Sequence, residues 1–326
     1  MTRVEENDIR RRAVLHVGTM KTGTSTLQAT LEASRQVLDG ANWTYLGWPM
    51  RTASVLRDRL ADVRSDSNLV ISDEGLWHFC GTDRSDTPQI ADALSGYDVT
   101  VVVYLRRPDQ YVESQFSQGI KTGTGAPTLS RFLSSGFVNS RSFRPGPADP
   151  ASLDNPRFRD RIDLRLEQRL AYFREQFPTG DLTVRPFERA QMRDGDIVSD
   201  FVEAAGLEPA LSAEDLERPA DANVSPSADV VLFANLLRQT YGVPEPVVRA
   251  YVDTHAATSP ATRILRIEEA RAINDIMQPV FGRIRDAHRP DLPPGFFQSW
   301  AIDAAHYRES GLRTLYDDYI DVGDRS

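Results

Sequence analysis

Short apolar runs and helical stripes alternate through the first two thirds of the chain. AVLHVG, from Ala13 to Gly18, is bounded by arginines and then by glycine, the pattern of a buried strand. In the following TSTLQATLEASRQVL, Leu27, Leu31, Ser34 and Leu38 recur at helical spacing, which predicts a helix starting near Thr24. NWTYLG predicts a second strand, and SNLVISDEGLW a third whose core, Leu69 to Ser72, ends in two acids. YDVTVVVYLRRP carries the strongest strand signal, β-branched from Val99 to Val103. Pro108 stops that strand and suits the first turn of a helix with Val112, Phe116 and Ile120 as its buried stripe. DLTVRPFE is a last short strand. Beyond Gly206 the pattern turns helical. Ser225 and Pro226 read as an N-cap and first turn and Gly242 as a stop, with further helices over Arg263 to His288, where Pro279 is a candidate kink, and over Gln298 to Tyr319.

Strands alternating with helices specify an α/β fold with a parallel β-sheet flanked by helices, here followed by a mostly helical C-terminal part. We expect one domain over residues 1–326, with an α/β nucleotide-binding core at 12–207 and a helical extension at 208–326. Parallel sheets bind ligands beyond the carboxyl ends of their strands, where Gly18 to Ser25, Asp73 and Glu74, and Arg106 to Pro108 fall. The net charge of −9 argues against a general nucleic-acid partner, which needs a surplus of Lys and Arg. No apolar run reaches the length of a membrane span, and the opening MTRVEENDIRRR lacks the apolar stretch of a secretory leader, so the expected location is cytoplasmic. The single cysteine, Cys80, can form neither an intrachain disulfide nor a cysteine cluster for zinc, and reads as a small buried hydrophobe.

The chemistry concentrates in HVGTMKTGTSTLQ, His16 to Gln28. Gly18 and Gly23 have the spacing of the ATP-type phosphate loop, G-x-x-x-x-G-K-[ST], but Thr24 follows Gly23 where the lysine belongs. Lys21 sits two residues before that glycine, at the crown of the loop. The amides of Thr22 to Thr26 at a helix start can still hold an anion, with Thr24, Ser25 and Thr26 adding hydroxyl donors, while the Mg²⁺-ATP geometry of a kinase is lost. This variant resembles the 5′-phosphosulfate loop of sulfotransferases that use 3′-phosphoadenylyl sulfate (PAPS), P-K-[TS]-G-[TS]-[TS]-x-L. It stands here as MKTGTSTL, with Met20 in place of proline.

A second motif follows the strongest strand. RRPDQYVES supplies Arg106, Pro108 and Ser114 at the offsets of that family's 3′-phosphate motif, an arginine fork and a hydroxyl for one phosphate. VRPFERAQMRDGDIVSDFVEAAGL and NVSPSADVVLFANLL look like later segments of bacterial carbohydrate-type sulfotransferases. The resemblance implies a P-loop-type fold and sulfuryl transfer from PAPS to a hydroxyl of a saccharide, glycolipid or small metabolite. No metal is demanded, because amides, Lys21 and Arg106 already answer the phosphates.

It also implies roles. Lys21 would meet the charge that grows on the oxygen bridging sulfur and phosphorus. A base must take the acceptor proton; Glu74 is favoured, with Asp73 behind it and His78 as rival. His16 is read as packing or loop support. Trp43, Trp48 and Trp77 are candidates for an acceptor or adenine pocket, or simply core. Residues 139–161, proline-rich, carry Arg141, Arg144, Arg157, Arg159 and Arg161, which either greet an anionic group or pair with Asp149, Asp154 and Asp160 in a solvated loop. Two other functions remain open: a P-loop kinase, for which the lysine after Gly23 is missing, and a non-catalytic nucleotide-binding protein of the same fold.

Overall fold

The computed structural model describes residues 10–81, 85–122, 165–219, 226–256, 262–291, 302, 304 and 307–313. The chain divides into two compact units, Met1–Leu105 with Glu167–Ala220, and Arg106–Leu166 with Asp221–Ser326.

The first unit holds a five-stranded sheet of β1 (Arg11–Gly18), β2 (Trp43–Leu46), β3 (Asn68–Ser72), β4 (Tyr97–Arg106, whose last residue belongs to the other unit) and β5 (Asp181–Phe187), in the order β2-β3-β1-β4-β5. β1 runs parallel to β3 and β4, and β2 parallel to β3, with Leu15 beside Ile71 and His16 beside both Ser72 and Val102. β1 is the central strand, which is why Ala13, Val14, Leu15 and Val17 are fully buried and its apolar run is continuous rather than alternating. β1 sends its connection toward β2 and β4 toward β5, so the carboxyl ends of β1 and β4 form the switch point where such sheets bind ligands. The pairing of β1 with β4 shifts register between His16 and Gly18, where the chain leaves the sheet.

The helices of this unit are α1 (Thr24–Ala33), α2 (Arg35–Gly40), α3 (Ala53–Ala61), α4 (Gly75–Phe79), α5 (Thr87–Ala93), α7 (Leu166–Gln176, whose first residue belongs to the other unit) and α8 (Ile197–Ala204). Leu27, Leu31, Ser34 and Leu38 share one buried face as their spacing predicts, but Ser34 separates two helices. Its hydroxyl accepts from the Glu217 N–H at 2.8 Å. Their core joins Val14, Val70 and Tyr104 of the sheet to Val198, Phe201 and Val202 of α8. The buried Asp200 on α8 fixes that helix to the sheet. It accepts from the Tyr104 hydroxyl at 2.8 Å and from both the Nε and a terminal nitrogen of Arg185 on β5.

The second unit is helical: α6 (Pro108–Lys121), α9 (Ala228–Tyr241), α10 (Glu245–His255) and α11 (Ile267–His288), the last with Pro279 inside it. α6 packs against α9, α10 and α11, and Val112, Phe116 and Ile120 form its buried stripe as expected. Three sequence expectations change. α9 starts at Ala228, after Pro226; Ser225 lies outside the described residues, and Gly242 ends the helix as predicted. α11 starts at Ile267 rather than Arg263, whose N–H and carbonyl are spent on a bridge to Arg308 and Ser310 at 2.7 and 3.0 Å, while the Glu113 carboxylate accepts from the N–H groups of Ile264 and Leu265 at 2.8 and 2.9 Å. The helix expected over 298–319 is not formed at Tyr307 to Ser310, where Glu309 makes a parallel bridge to Arg263; most of the remainder lies outside the described residues. The arginine-rich loop over 139–161 lies outside them too.

Candidate active site

The loop that follows β1 is held by its own first residue. The Thr19 N–H donates to the Tyr104 carbonyl at 3.0 Å, while the Thr19 carbonyl accepts from the hydroxyls of Thr22 at 2.6 Å and Thr24 at 3.4 Å. Two glycines make the turn possible. Gly18 has φ +102°, and a Cβ there would lie 3.1 Å from Cβ of Glu74; Gly23 has φ +71°, and a Cβ there would lie 2.9 Å from the Phe187 ring. Lys21, between them, takes a left-handed φ of 67° without being glycine. That backbone is strained, and such positions cluster at ligand sites.

Gly23 is also the N-cap of α1 and, being glycine, offers no side chain to cap the helix. The helical ladder begins with the Leu27 N–H on the Gly23 carbonyl, so the amides of Thr24, Ser25 and Thr26 lie ahead of it, at the positive end of the helix dipole. The hydroxyls divide differently from the sequence expectation. Thr22 and Thr24 are buried and bond the Thr19 carbonyl, so their hydroxyls brace the loop; Ser25 is exposed and Thr26 half-buried.

The two acids after β3 part company. Asp73 is fully buried, and its carboxylate accepts three backbone N–H groups, from Met50 at 2.8 Å, Arg51 at 3.0 Å and Gly75 at 2.7 Å. It is a backbone clamp for the turn into α4 and for the segment after β2. Glu74 is half-buried and sits at the N-cap position of α4, yet its side chain makes no cap bond. Its Oε2 accepts from Gln28 Nε2 at 3.4 Å. Burial pushes the Glu74 carboxyl above the ordinary carboxylate range, with Asp73 adding to the rise, while a bond from its own backbone N–H, the Lys21 charge and the Gln28 bond draw it back. Lys21 and Glu74 are therefore close enough to feel one another's charge.

Gln28 escaped the sequence reading, which had no pattern to single out one glutamine on a helix. Its Nε2 also donates to the Ser72 carbonyl at 3.1 Å, so α1 is tied to the end of β3 at the carboxylate. Beneath it, His16 Nδ1 lies 2.8 Å from the Ser72 hydroxyl. His16 is wholly buried, its edge set against Tyr104 and Phe201, its Nε2 unpartnered, and burial pushes its pKa down to about 3. It supports the loop as a neutral imidazole. His78, in the last turn of α4, is half-buried, and burial with Arg169 and Arg51 nearby lowers its pKa.

In the second unit, Arg106 is the final residue of β4, and Ser114 stands on α6 beyond the Pro108 start, both half-buried. Arg106 Nε donates to Gln110 one turn along α6, at 3.3 Å. The helix is anchored by acids the sequence did not single out. Asp109 is clamped by Arg107 at 2.7 and 2.9 Å, and Glu113 accepts from Arg263 at 3.1 Å as well as from the two amides before α11.

The tryptophans separate by burial. Trp43 and Trp77 are core residues, 2% and 5% exposed, and Trp77 stacks on Phe173; Trp48 is 59% exposed. No family model and no curated protein matches the chain. Among solved structures it is similar to a sulfotransferase from Alicyclobacillus acidocaldarius, with 14% identity, 77% of this chain and 97% of that chain covered, and a TM-score of 0.42. At that depth of likeness a functional assignment has to rest on the residues themselves.

Proposed function

We propose that this protein transfers a sulfuryl group from PAPS to a hydroxyl of a saccharide, glycolipid or small metabolite. The observation that carries the reading is the loop after β1. A helix start with a glycine N-cap, a strained lysine at the crown and a half-buried carboxylate with a raised pKa lie together after β1 and β3. The amides ahead of the α1 ladder suit the 5′-phosphosulfate, with Ser25 and Thr26 as further donors. Arg106 and Ser114, in the order and spacing of the family's second motif, are assigned the 3′-phosphate.

The acceptor oxygen attacks sulfur in line with the bond to the phosphate oxygen. The new O–S bond forms, the S–O bond to phosphorus breaks, and adenosine 3′,5′-bisphosphate leaves. To Lys21 we assign the stabilisation of the charge growing on the departing oxygen. Glu74 takes the acceptor proton: beyond its own backbone N–H, its carboxylate accepts one long bond from Gln28, whereas that of Asp73 is filled by three backbone N–H groups.

Calorimetry with adenosine 3′,5′-bisphosphate, AMP and Mg²⁺-ATP tests the reading. The bisphosphate should bind tightest, and Arg106→Ala should remove most of its advantage over AMP, about 1.5–3 kcal/mol for a charge-assisted contact. Equal affinity for bisphosphate and AMP, or tightest binding of Mg²⁺-ATP, would refute it.

A further inference from the structure

On the first unit an open groove of about 490 Å³ lies between α1 and the segment after β2, lined by Gln28, Glu32, Arg35, Tyr45, Trp48 and Arg59 among others. We propose that this groove is the acceptor site and that its occupant is a saccharide, one sugar ring lying on the exposed face of Trp48 with its hydroxyls met by Gln28, Glu32 and Arg59. As a binding site the groove stands alone; as an acceptor site it rests on the sulfotransferase reading.

Three observations carry this. First, Trp48 presents a broad apolar face in a setting that is otherwise polar. Single exposed apolar residues are common, but this indole is backed by the Arg51 guanidinium, 5.7 Å from its ring centre, which itself lies across Gly75 beside the two acids. A flat apolar face with polar groups converging around it fits a ligand that is apolar on one side and hydroxylated at its rim, as a pyranose is.

Second, two of the polar groups are oriented by bonds to each other and to the backbone. Glu32 and Arg35 form a two-point pair at 2.6 and 2.9 Å, and the remaining Arg35 nitrogen donates to the Tyr45 carbonyl at 2.7 Å. The pair is thus oriented on the α1–α2 side of the groove, with carboxylate lone pairs still available to a hydroxyl. Arg59 adds an exposed guanidinium close enough to act on the Glu32 charge. Such a lining is too charged for a purely apolar acceptor and too mixed in sign for a long polyanion.

Third, Gln28 belongs to the groove and to the catalytic edge at once. Its Nε2 is held by the Ser72 carbonyl and Glu74, so its Oε1, on the other arm of the amide, is turned away from them and can accept from a sugar hydroxyl. One residue therefore links a sugar seated on Trp48 to the carboxylate that would deprotonate it.

The test uses the full chain on an array of neutral and acidic oligosaccharides, without nucleotide. Binding to a saccharide should be seen, should fall by about tenfold or more in Trp48→Ala, as when a stacked aromatic face is lost, and should survive in Trp48→Phe. Affinity for adenosine 3′,5′-bisphosphate should not change in either variant, which also shows that they fold. No saccharide bound, or binding indifferent to Trp48→Ala, overturns the groove as a sugar site even if the nucleotide binds and another acceptor is sulfated. Trp48-dependent sugar binding without any response to PAPS or the bisphosphate would leave the groove standing as a saccharide site, and would overturn the sulfotransferase reading and with it the acceptor role.

Discussion

His16 offers the most direct check on how the loop is supported. The imidazole is wholly buried with a pKa near 3, against 6.5 for an ordinary histidine, and burial is the cause. The unfolded chain therefore takes up a proton on this residue as pH falls below 6.5, while the folded chain does not until about pH 3. Folding stability must fall through that window, because the unfolded state binds more protons there. At roughly 1.36 kcal/mol per pH unit the loss attributable to His16 reaches about 2 kcal/mol between pH 7 and pH 5. In His16→Asn the side chain no longer titrates, and its amide can still reach Ser72. The variant should be less stable at pH 7, since it loses the edge contacts with Tyr104 and Phe201, but its stability should fall less on acidification. Urea unfolding at pH 5, 6 and 7, followed by far-UV circular dichroism, gives the stability gap between the two proteins, in which the contributions of all other groups cancel. The gap should shrink by about 2 kcal/mol from pH 7 to pH 5. A constant gap would mean that His16 is charged or solvated in the folded protein, and the account of the loop's underside would be wrong.

Three further outcomes test the site. Glu74→Gln should leave bisphosphate binding intact and lower turnover by roughly 10²–10⁴-fold; in the wild type the acid limb of the kcat profile should lie above an ordinary carboxylate's pKa, because burial raises that of Glu74 and only its ionised form accepts a proton. A variant turning over at the wild-type rate would transfer the role elsewhere, with His78 next in line. Lys21→Ala should reduce kcat at saturating PAPS far more than it weakens binding of the bisphosphate, which lacks the bridging sulfuryl group; parallel losses would make Lys21 a binding residue only. Gly23→Ala should weaken nucleotide binding and lower the melting temperature together, since the new methyl meets the Phe187 ring at 2.9 Å in a backbone that costs an L-residue about 1 kcal/mol or more; an unchanged protein would mean that the loop relaxes freely.

Much of this protein was legible in local pattern. The strands were visible because a central parallel strand is buried on both faces and reads as a continuous apolar run, as Ala13 to Val17 and Val99 to Val103 do. The start of α1, the stripe of Val112, Phe116 and Ile120, and the stop at Gly242 follow from spacing and from glycine and proline alone. The lysine, glycines and hydroxyls of the loop were equally plain, because a phosphate cradle is made from consecutive residues.

What needed tertiary structure was how each polar group is satisfied, which depends on partners distant in sequence. Asp73 and Glu74 are adjacent and alike in the chain; only the approach of Met50 and Arg51 distinguishes the filled carboxylate from the one with capacity left. The sequence offers the hydroxyl of Thr24 as a ligand donor, and it has no means of showing that the Thr19 carbonyl lies 3.4 Å from it. Glu113 was not singled out in the sequence, yet it captures the amides of Ile264 and Leu265, some 150 residues away, and so ties α6 to the segment before α11. Gln28 had no sequence signal at all, and Trp48 was one of three tryptophans that residue type alone could not tell apart, for a lone amide or indole acquires meaning only from what folding sets beside it. Periodicity records which side of an element meets the core; it carries no record of which buried hydrogen bonds close across the fold, and those bonds decide which groups are left for chemistry.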